Sequence, residues 1–483
     1  MSERFDLIVI GAGSAGLTAA GGAALFGLKV ALIEADAMGG ECLNTGCVPS
    51  KALLAAAHRA HAARDSARFG VRLPPPAIDW AGVRAHVDGA IAAIAPHDSQ
   101  SRFEAMGIEV IRDRARFLDR RTVAVGDRRL TAPRIVVATG SKPAVPPIDG
   151  LTDVPYLTNE TLFSLDSLPT HLIVIGGGAI GLEMAQAFRR LGSAVTVIEP
   201  YAVMAHDDPE AVALVVEQLR GEGVMFEIGR KAVKVRREGV GDDGGIAVGL
   251  DDDRLVIGSH LLIAAGRRAN TAELDLAAAG VEIGEDGIVV DPRRRTTNRR
   301  VFAIGDCRAG PRFTHVAGYE GSQVVLEVAL GLSRKVDWRA LPHVTYTDPE
   351  LAQIGLTEGE ARTKHGTIAV TRQDFAENDR AATECDTRGF VKLIRHRGKV
   401  VGVTIVGAHA GDLLLPWAQI VTGKASTFAL GSAIIVYPTR SEISRAAAFA
   451  AYESAVFGPL PKRWAAVVAG MRRWRAALNA PAT

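Results

Sequence analysis

Cysteine is scarce in this chain, with four among 483 residues. So few exclude a disulfide-stapled extracellular scaffold and point to a reducing compartment, where neighbouring thiols more often serve catalysis or metal binding. Long apolar runs are missing too; no stretch of the roughly 18 residues that a membrane span needs is both uncharged and wholly apolar. Neither sign of charge dominates: 56 Lys and Arg stand against 54 Asp and Glu, and the net +2 gives no overall attraction to nucleic acid. Aromatic residues make up only 5%, yet 48% hydrophobic and 23% charged residues are the composition of a folded protein. The opening MSERFDLIVIGAG reads as a strand running into a glycine turn rather than a secretory leader, so the cytoplasm is the expected location.

What is present begins with a repeated unit. FDLIVIGAGSAGLTAAGGAALFGLKVALIEA carries an apolar run, then Gly11, Gly13 and Gly16, an Ala-rich helical stretch, and a second apolar run ending in Glu34. HLIVIGGGAIGLEMAQAFRRLGSAVTVIEP does the same with Gly176, Gly178, Gly181 and Glu199. From first glycine to acid is 23 residues in each copy, and the copies are offset by 165. A βαβ unit of this kind uses its first glycine for a tight turn and its second for close approach of a pyrophosphate. The third glycine lets helix and strand pack, the helix N-terminus offers free N–H groups, and the acid meets ribose hydroxyls. Two such units predict two bound dinucleotides. A carboxylate at Glu199 repels a 2′-phosphate, and the following PYAVMAHDDPE has no arginine to offset it, so NADH is expected over NADPH.

The segment GGECLNTGCVPSKAL, 39–53, holds half of the cysteines, Cys42 and Cys47. Five residues apart on a slightly distorted helical turn, their side chains point nearly the same way and could close a small disulfide. The alternatives are half of a zinc site or two buried structural thiols. Zinc needs further ligands, and Cys307 and Cys385 lack the usual spacings, so a redox pair is the favoured reading. Lys51 follows Cys47 by one helical turn, where its ammonium can stabilise a thiolate.

GGECLNTGCVPSKAL resembles the active-site signature of the class I pyridine nucleotide–disulfide oxidoreductases, a family that includes dihydrolipoyl dehydrogenase, glutathione reductase and mercuric reductase. Further matching motifs are GAGSAG, VVATGS, GGGAIGLE, AAGRRAN, VFAIGDC, HVAGYEG and VTYTDPELAQIGLTE, spread over nearly the whole chain. The resemblance implies an α/β protein with two Rossmann-like dinucleotide-binding domains plus an α+β C-terminal dimerisation domain. The expected boundaries are 1–150 and 276–340 for the FAD-binding domain, 151–275 for NAD, 341–460 for dimerisation and 461–483 for a tail. It implies that Gly11, Gly13, Gly16 and Glu34 hold FAD, with Ala115 near the adenine, Gly140 in the VVATGS turn, Asp306 on the ribityl chain and Ala317 by the pyrimidine end. Gly176, Gly178, Gly181, Glu199 and Gly266 would hold NADH. Cys47 would be the thiolate beside the flavin and Cys42 the interchange thiol. Lys51 would stabilise charge there, with Glu183 as its partner. Electrons would then run from NADH through FAD and the Cys42–Cys47 disulfide to an acceptor, with a homodimer as the working unit.

One motif departs from the family. Lipoamide and glutathione reductases carry a His-Pro-Thr-x-x-Glu base motif, contributed across the dimer; here YPTRSEI, 437–443, keeps Glu442 but puts Tyr437 in place of the histidine. A tyrosine, with an ordinary pKa of about 10, is a poor base at neutral pH. The leading expectation is a dihydrolipoyl dehydrogenase-like reductase of a small or protein-bound disulfide. The alternatives are mercuric reductase-like reduction of a thiophilic metal ion, which needs no such base, or a regulatory, membrane-associated flavoprotein. Against mercury stand the absence of a C-terminal cysteine pair in MRRWRAALNAPAT and of an N-terminal metal-binding module. No resident metal site is expected. Elsewhere, 66–79 reads as a Pro-rich loop, 239–254 as a polar hairpin, Cys307 as a buried structural thiol and His315 as a packing residue near the flavin. Residues 461–478 recur at helical spacing through Trp464, Val467, Val468, Met471, Trp474 and Leu478, with five basic residues among them. Such a stripe packs on its own protein or makes a weak membrane-surface contact.

Overall fold

The runs LIVI, VALIE and RIVV form the strands Leu7–Ile10, Val30–Glu34 and Arg134–Val137. Their near-continuous apolar character is what a parallel sheet covered on both faces requires. Together with Val301–Ala303 and Glu109–Arg112 they make a five-stranded sheet, with Leu7 in register with Val30 and Arg134. The second repeat builds a four-stranded parallel sheet in the order Val224–Ile228, Ala194–Glu199, His171–Ile175, His260–Ile263. The helices Ser14–Leu25 and Ala179–Leu191 leave the first strand of each repeat. Their N-termini lie at the carboxyl ends of the strands, where open α/β sheets bind ligands.

This computed structural model describes residues 2–239 and 244–478. The chain divides into two units, one of 1–205 with 219–336 and the other of 206–218 with 337–483. The first holds both parallel sheets. It also holds an antiparallel ribbon of Ala232–Glu238, Gly245–Leu250 and Leu255–Gly258, which spans the expected polar hairpin. Of that expected segment, 240–243 lie outside the described residues. Between the helices Cys47–Asp65 and Trp80–Asp98 the Pro-rich segment starts with one 3₁₀ turn, Ser66–Phe69, and is irregular through 70–79.

The second unit is built on a five-stranded antiparallel sheet in the order Pro342–Thr345, Glu350–Gly355, Lys399–Gly407, Phe390–His396, Ala369–Asp374. Leu415–Val421 and Glu442–Ala450 cover one face of its core, where Trp417, Phe375 and Ile405 are fully buried. Segment 206–218 groups with this unit for a physical reason. Lys392, buried in the sheet, reaches Asp208 at 2.9 Å and Glu210 at 2.8 Å. A buried ammonium requires such partners. The tail forms one helix, Pro459–Leu478.

Candidate active site

The two glycine loops have one geometry. Gly11 and Gly176 sit at φ +104° and +117°, a turn closed to side chains. A Cβ on Gly16 would stand 1.8 Å from the Gly11 carbonyl oxygen, and one on Gly181 would stand 2.0 Å from that of Gly176. Gly178, by contrast, faces open space. Neither helix N-terminus receives a side-chain cap, from Gly13 or from Gly178. Glu34 accepts hydrogen bonds from Ala12 N–H at 2.5 Å and Asp36 N–H at 2.7 Å. Glu199 repeats this with Gly177 N–H at 2.7 Å and Tyr201 N–H at 2.9 Å. Uncapped N–H donors, an open approach and a fixed carboxylate are the donor set that a dinucleotide pyrophosphate and ribose fit. Ala115 lies buried on the strand Ala115–Phe117, and Gly140 and Gly266 have positive φ at turns that follow strands.

The cysteine segment is not one distorted turn. Cys42 lies on a short helix, Gly40–Asn44, and Cys47 opens the next, Cys47–Asp65. Gly46, at φ −127° and ψ −111°, breaks the helix between them. Cys47 thereby gains the first position of a helix, where partial positive charge favours a thiolate. Its thiol falls to a pKa of about 6, chiefly through a hydrogen bond with Cys42, then one with Thr314 Oγ1 at 3.2 Å and the charge of Lys51. Cys42 is pushed well up by sharing that bond and by burial. Lys51 Nζ donates to Glu183 Oε2 at 2.8 Å, and Glu183 is buried at the start of Ala179–Leu191. Cys42, Cys47, Lys51 and Glu183 are therefore brought together in the first unit.

Around them lie residues that the motifs did not single out. Gly40 approaches so near the first glycine loop that a Cβ on it would stand 2.7 Å from Gly13 Cα. Glu41 pairs with Arg267 and accepts from Asn159 Nδ2 at 2.8 Å, while burial raises its pKa. Arg267 Nε also donates to Ser141 Oγ, which donates to Asp306 at 2.9 Å. Asp306 sits in the 3₁₀ turn Gly305–Cys307, held from behind by Glu320. Fully buried Glu320 accepts from Gly305 N–H at 2.8 Å and pairs with buried Arg308 at 2.8 Å and Arg294 at 2.9 Å. Ala317 packs against Gly305 from the same helix, Thr314–Leu330. Cys307 is buried, with its thiol pushed up to about 12 by desolvation and donating to Ile304 and Val137 carbonyls. His315 stacks on Phe313 at 5.2 Å.

Tyr437 and Glu442 belong to the second unit. The exposed Tyr437 hydroxyl donates to Asp379 Oδ2 at 2.8 Å, and that carboxylate raises its pKa further from neutrality. Glu442 opens the helix Glu442–Ala450 and accepts from Thr439 N–H at 3.4 Å. Arg267 stands in a quoted motif and could have been read from it; Thr314 and Asp379 had no signal of their own.

The chain belongs to the pyridine nucleotide-disulphide oxidoreductases: the family model matches 5–321, and that of the family's dimerisation domain matches 341–448. It has the α/β fold of that family, which works with FAD and NAD(P)H through a redox disulfide, and the dimerisation domain supports a homodimer. Among its relatives, the mercuric reductase of Streptomyces lividans is 37% identical over 454 residues, 92% of this chain and 95% of that one. Its structural neighbours include LpdA from Mycobacterium tuberculosis, with a TM-score of 0.83 and 29% identity over 93% of this chain and 99% of that one. Another is the HOCl-induced flavoprotein disulfide reductase RclA from Escherichia coli, in a Cu(II) complex, with a TM-score of 0.81 and 26% identity over 91% and 98% of the two chains. Among the described residues no helix is long and apolar enough to cross a membrane, and no group of three or more His, Cys, Asp or Glu could hold a metal ion.

Proposed function

We propose that the protein is an NADH-dependent flavoprotein whose Cys42–Cys47 dithiol reduces a thiophilic metal ion. One observation carries the choice of acceptor: the tyrosine standing where disulfide reductases keep a histidine base has its hydroxyl committed to Asp379 and its pKa raised. In this reading Gly11, Gly13, Gly16, Glu34, Ala115, Gly140, Asp306 and Ala317 hold FAD. Gly176, Gly178, Gly181, Glu199 and Gly266 hold NADH, with the Glu199 carboxylate turning away a 2′-phosphate. Bound FAD supplies two-electron transfer from nicotinamide to the disulfide.

The chain's own groups do the rest. Two electrons and one proton convert the disulfide to a thiol on Cys42 and a thiolate on Cys47. The Cys42 hydrogen bond, Thr314, the helix N-terminus and Lys51 hold that negative charge, and Glu183 holds Lys51. A soft cation bound by the two sulfurs displaces the Cys42 proton to solvent, since a coordinating thiol is deprotonated outright, and two electrons pass from the thiolates to the metal as the Cys42–Cys47 disulfide re-forms. No dedicated base is then needed. The mercuric reductase relatives and the Cu(II) complex of RclA support this choice.

A second reading is lipoamide-type disulfide reduction, favoured by the intact loop in which Glu442 still accepts from Thr439. There Cys42 attacks as a thiolate, so its proton must leave first. Anaerobic stopped flow of the NADH-reduced enzyme, mixed with Hg(II), Cu(II) or lipoamide, separates the two. Flavin and dithiol reoxidation by the metals, with lipoamide slow until Tyr437→His is introduced, is the expected result. Rapid reoxidation of the wild type by lipoamide, with the metals inert, would overturn the metal reading.

A further inference from the structure

The tail helix Pro459–Leu478 carries an apolar stripe that none of the described residues covers. Leu460, Trp464, Val467, Met471 and Trp474 follow one another at alternating steps of four and three residues and are all exposed, the two tryptophans by 67% and 65%. At about 100° per residue these five fall within a sector of roughly 80°. Lys462, Arg463, Arg472, Arg473 and Arg475 supply every charge between 459 and 478; the segment has no Asp or Glu. Arg463 and Arg475 stand about 60° to either side of the stripe's centre, and the tryptophans lie at its two edges. Among the described residues none of the five cations is ion-paired; Arg473 makes only a 3.4 Å bond to the Ala469 carbonyl of its own helix.

This layout narrows the occupant. Tryptophan at the border of an apolar face places its ring in hydrocarbon and its N–H in the headgroup layer. Cations beside it meet lipid phosphates, and a helix too polar to span lies in the plane of the surface. A second copy of the helix fits poorly. Pairing along the stripe would bring Arg463 and Arg475 of each copy against like charges, where a coiled coil needs opposite ones.

We infer that the face formed by Leu460, Trp464, Val467, Met471 and Trp474, with its flanking arginines, docks the protein on an anionic lipid surface. No residue of the helix is among the redox groups named above, so docking fixes where the reductase works and leaves the chemistry to those groups.

The test uses the full-length FAD-loaded protein in co-sedimentation with vesicles of phosphatidylcholine alone or of phosphatidylcholine with phosphatidylglycerol, at low and high salt. Binding to the anionic vesicles should be at least about tenfold tighter, and weaker at high salt. Reversing the two flanking arginines, Arg463→Glu with Arg475→Glu, should weaken it by roughly a hundredfold. Trp464→Glu with Trp474→Glu should abolish it. Both variants should keep wild-type flavin absorbance and NADH–ferricyanide turnover, which shows that they fold. Three results would each overturn the inference: recovery of the wild type in the supernatant with both vesicles, equal binding to both, or a tryptophan variant that becomes monomeric because the stripe had been packing copy against copy.

Discussion

A thiolate at Cys47 rests on four neighbours, and its titration exposes them. Its pKa is lowered to about 6, so the thiolate is present above that pH and lost as the pH falls through it. In the dithiol form of the enzyme, iodoacetamide should therefore alkylate Cys47 with a pH midpoint near 6 rather than the ordinary ~8.5. Lys51→Met removes one favourable charge and should move the midpoint upward; an unchanged midpoint would deny Lys51 this role. Cys42 and Lys51 were legible from the one motif that holds them, and Glu183 only through the family resemblance, since it meets Lys51 across 132 residues of chain. Thr314 was not, since its contact with Cys47 closes across 267 residues of chain. Tyr437 was legible as a departure from a pattern, but its partner Asp379, 58 residues earlier, was not. Only the fold brings those two together.

At the scale of elements, the 3₁₀ turn that presents Asp306 depends on Glu320. Glu320→Ala would leave Arg308 and Arg294 buried without their shared carboxylate. Stability should fall by about 3–5 kcal/mol, measured by urea unfolding, with weaker flavin retention. The second glycine loop makes a separate prediction. With Glu199 fixed by Gly177 and Tyr201 N–H groups, kcat/KM should favour NADH over NADPH by at least about tenfold. Glu199→Ala should narrow that ratio by raising NADPH activity rather than by lowering NADH activity alone. Both βαβ units were readable, because glycine spacing and apolar runs are local signals. The break between the two redox helices was not. A five-residue spacing reads as one turn, and only the backbone of Gly46 shows the interruption.

The whole molecule shows the same division. Parallel sheets announce themselves through apolar strands tied to the glycine repeat, whereas the antiparallel sheet of the second unit, with strands such as Phe390–His396 and Lys399–Gly407 just as buried, has no such repeat to fix its order and was legible only in outline. As a homodimer the 51.0 kDa chain should sediment at twice that mass. If Tyr437 and Glu442 complete the partner's site, turnover per chain should drop where dilution yields monomer; turnover independent of dissociation would remove them from the site.

The Lys392 anchor on Asp208 and Glu210 has a consequence for anyone cutting the gene. The second unit is discontinuous, and the chain passes between the units three times, at 205/206, 218/219 and 336/337. A fragment ending at 336 takes along 206–218 without the lysine that neutralises it, and one beginning at 337 buries that lysine with two of its carboxylates gone. The two units can be told apart in space, yet neither can be expressed whole as a single uninterrupted stretch.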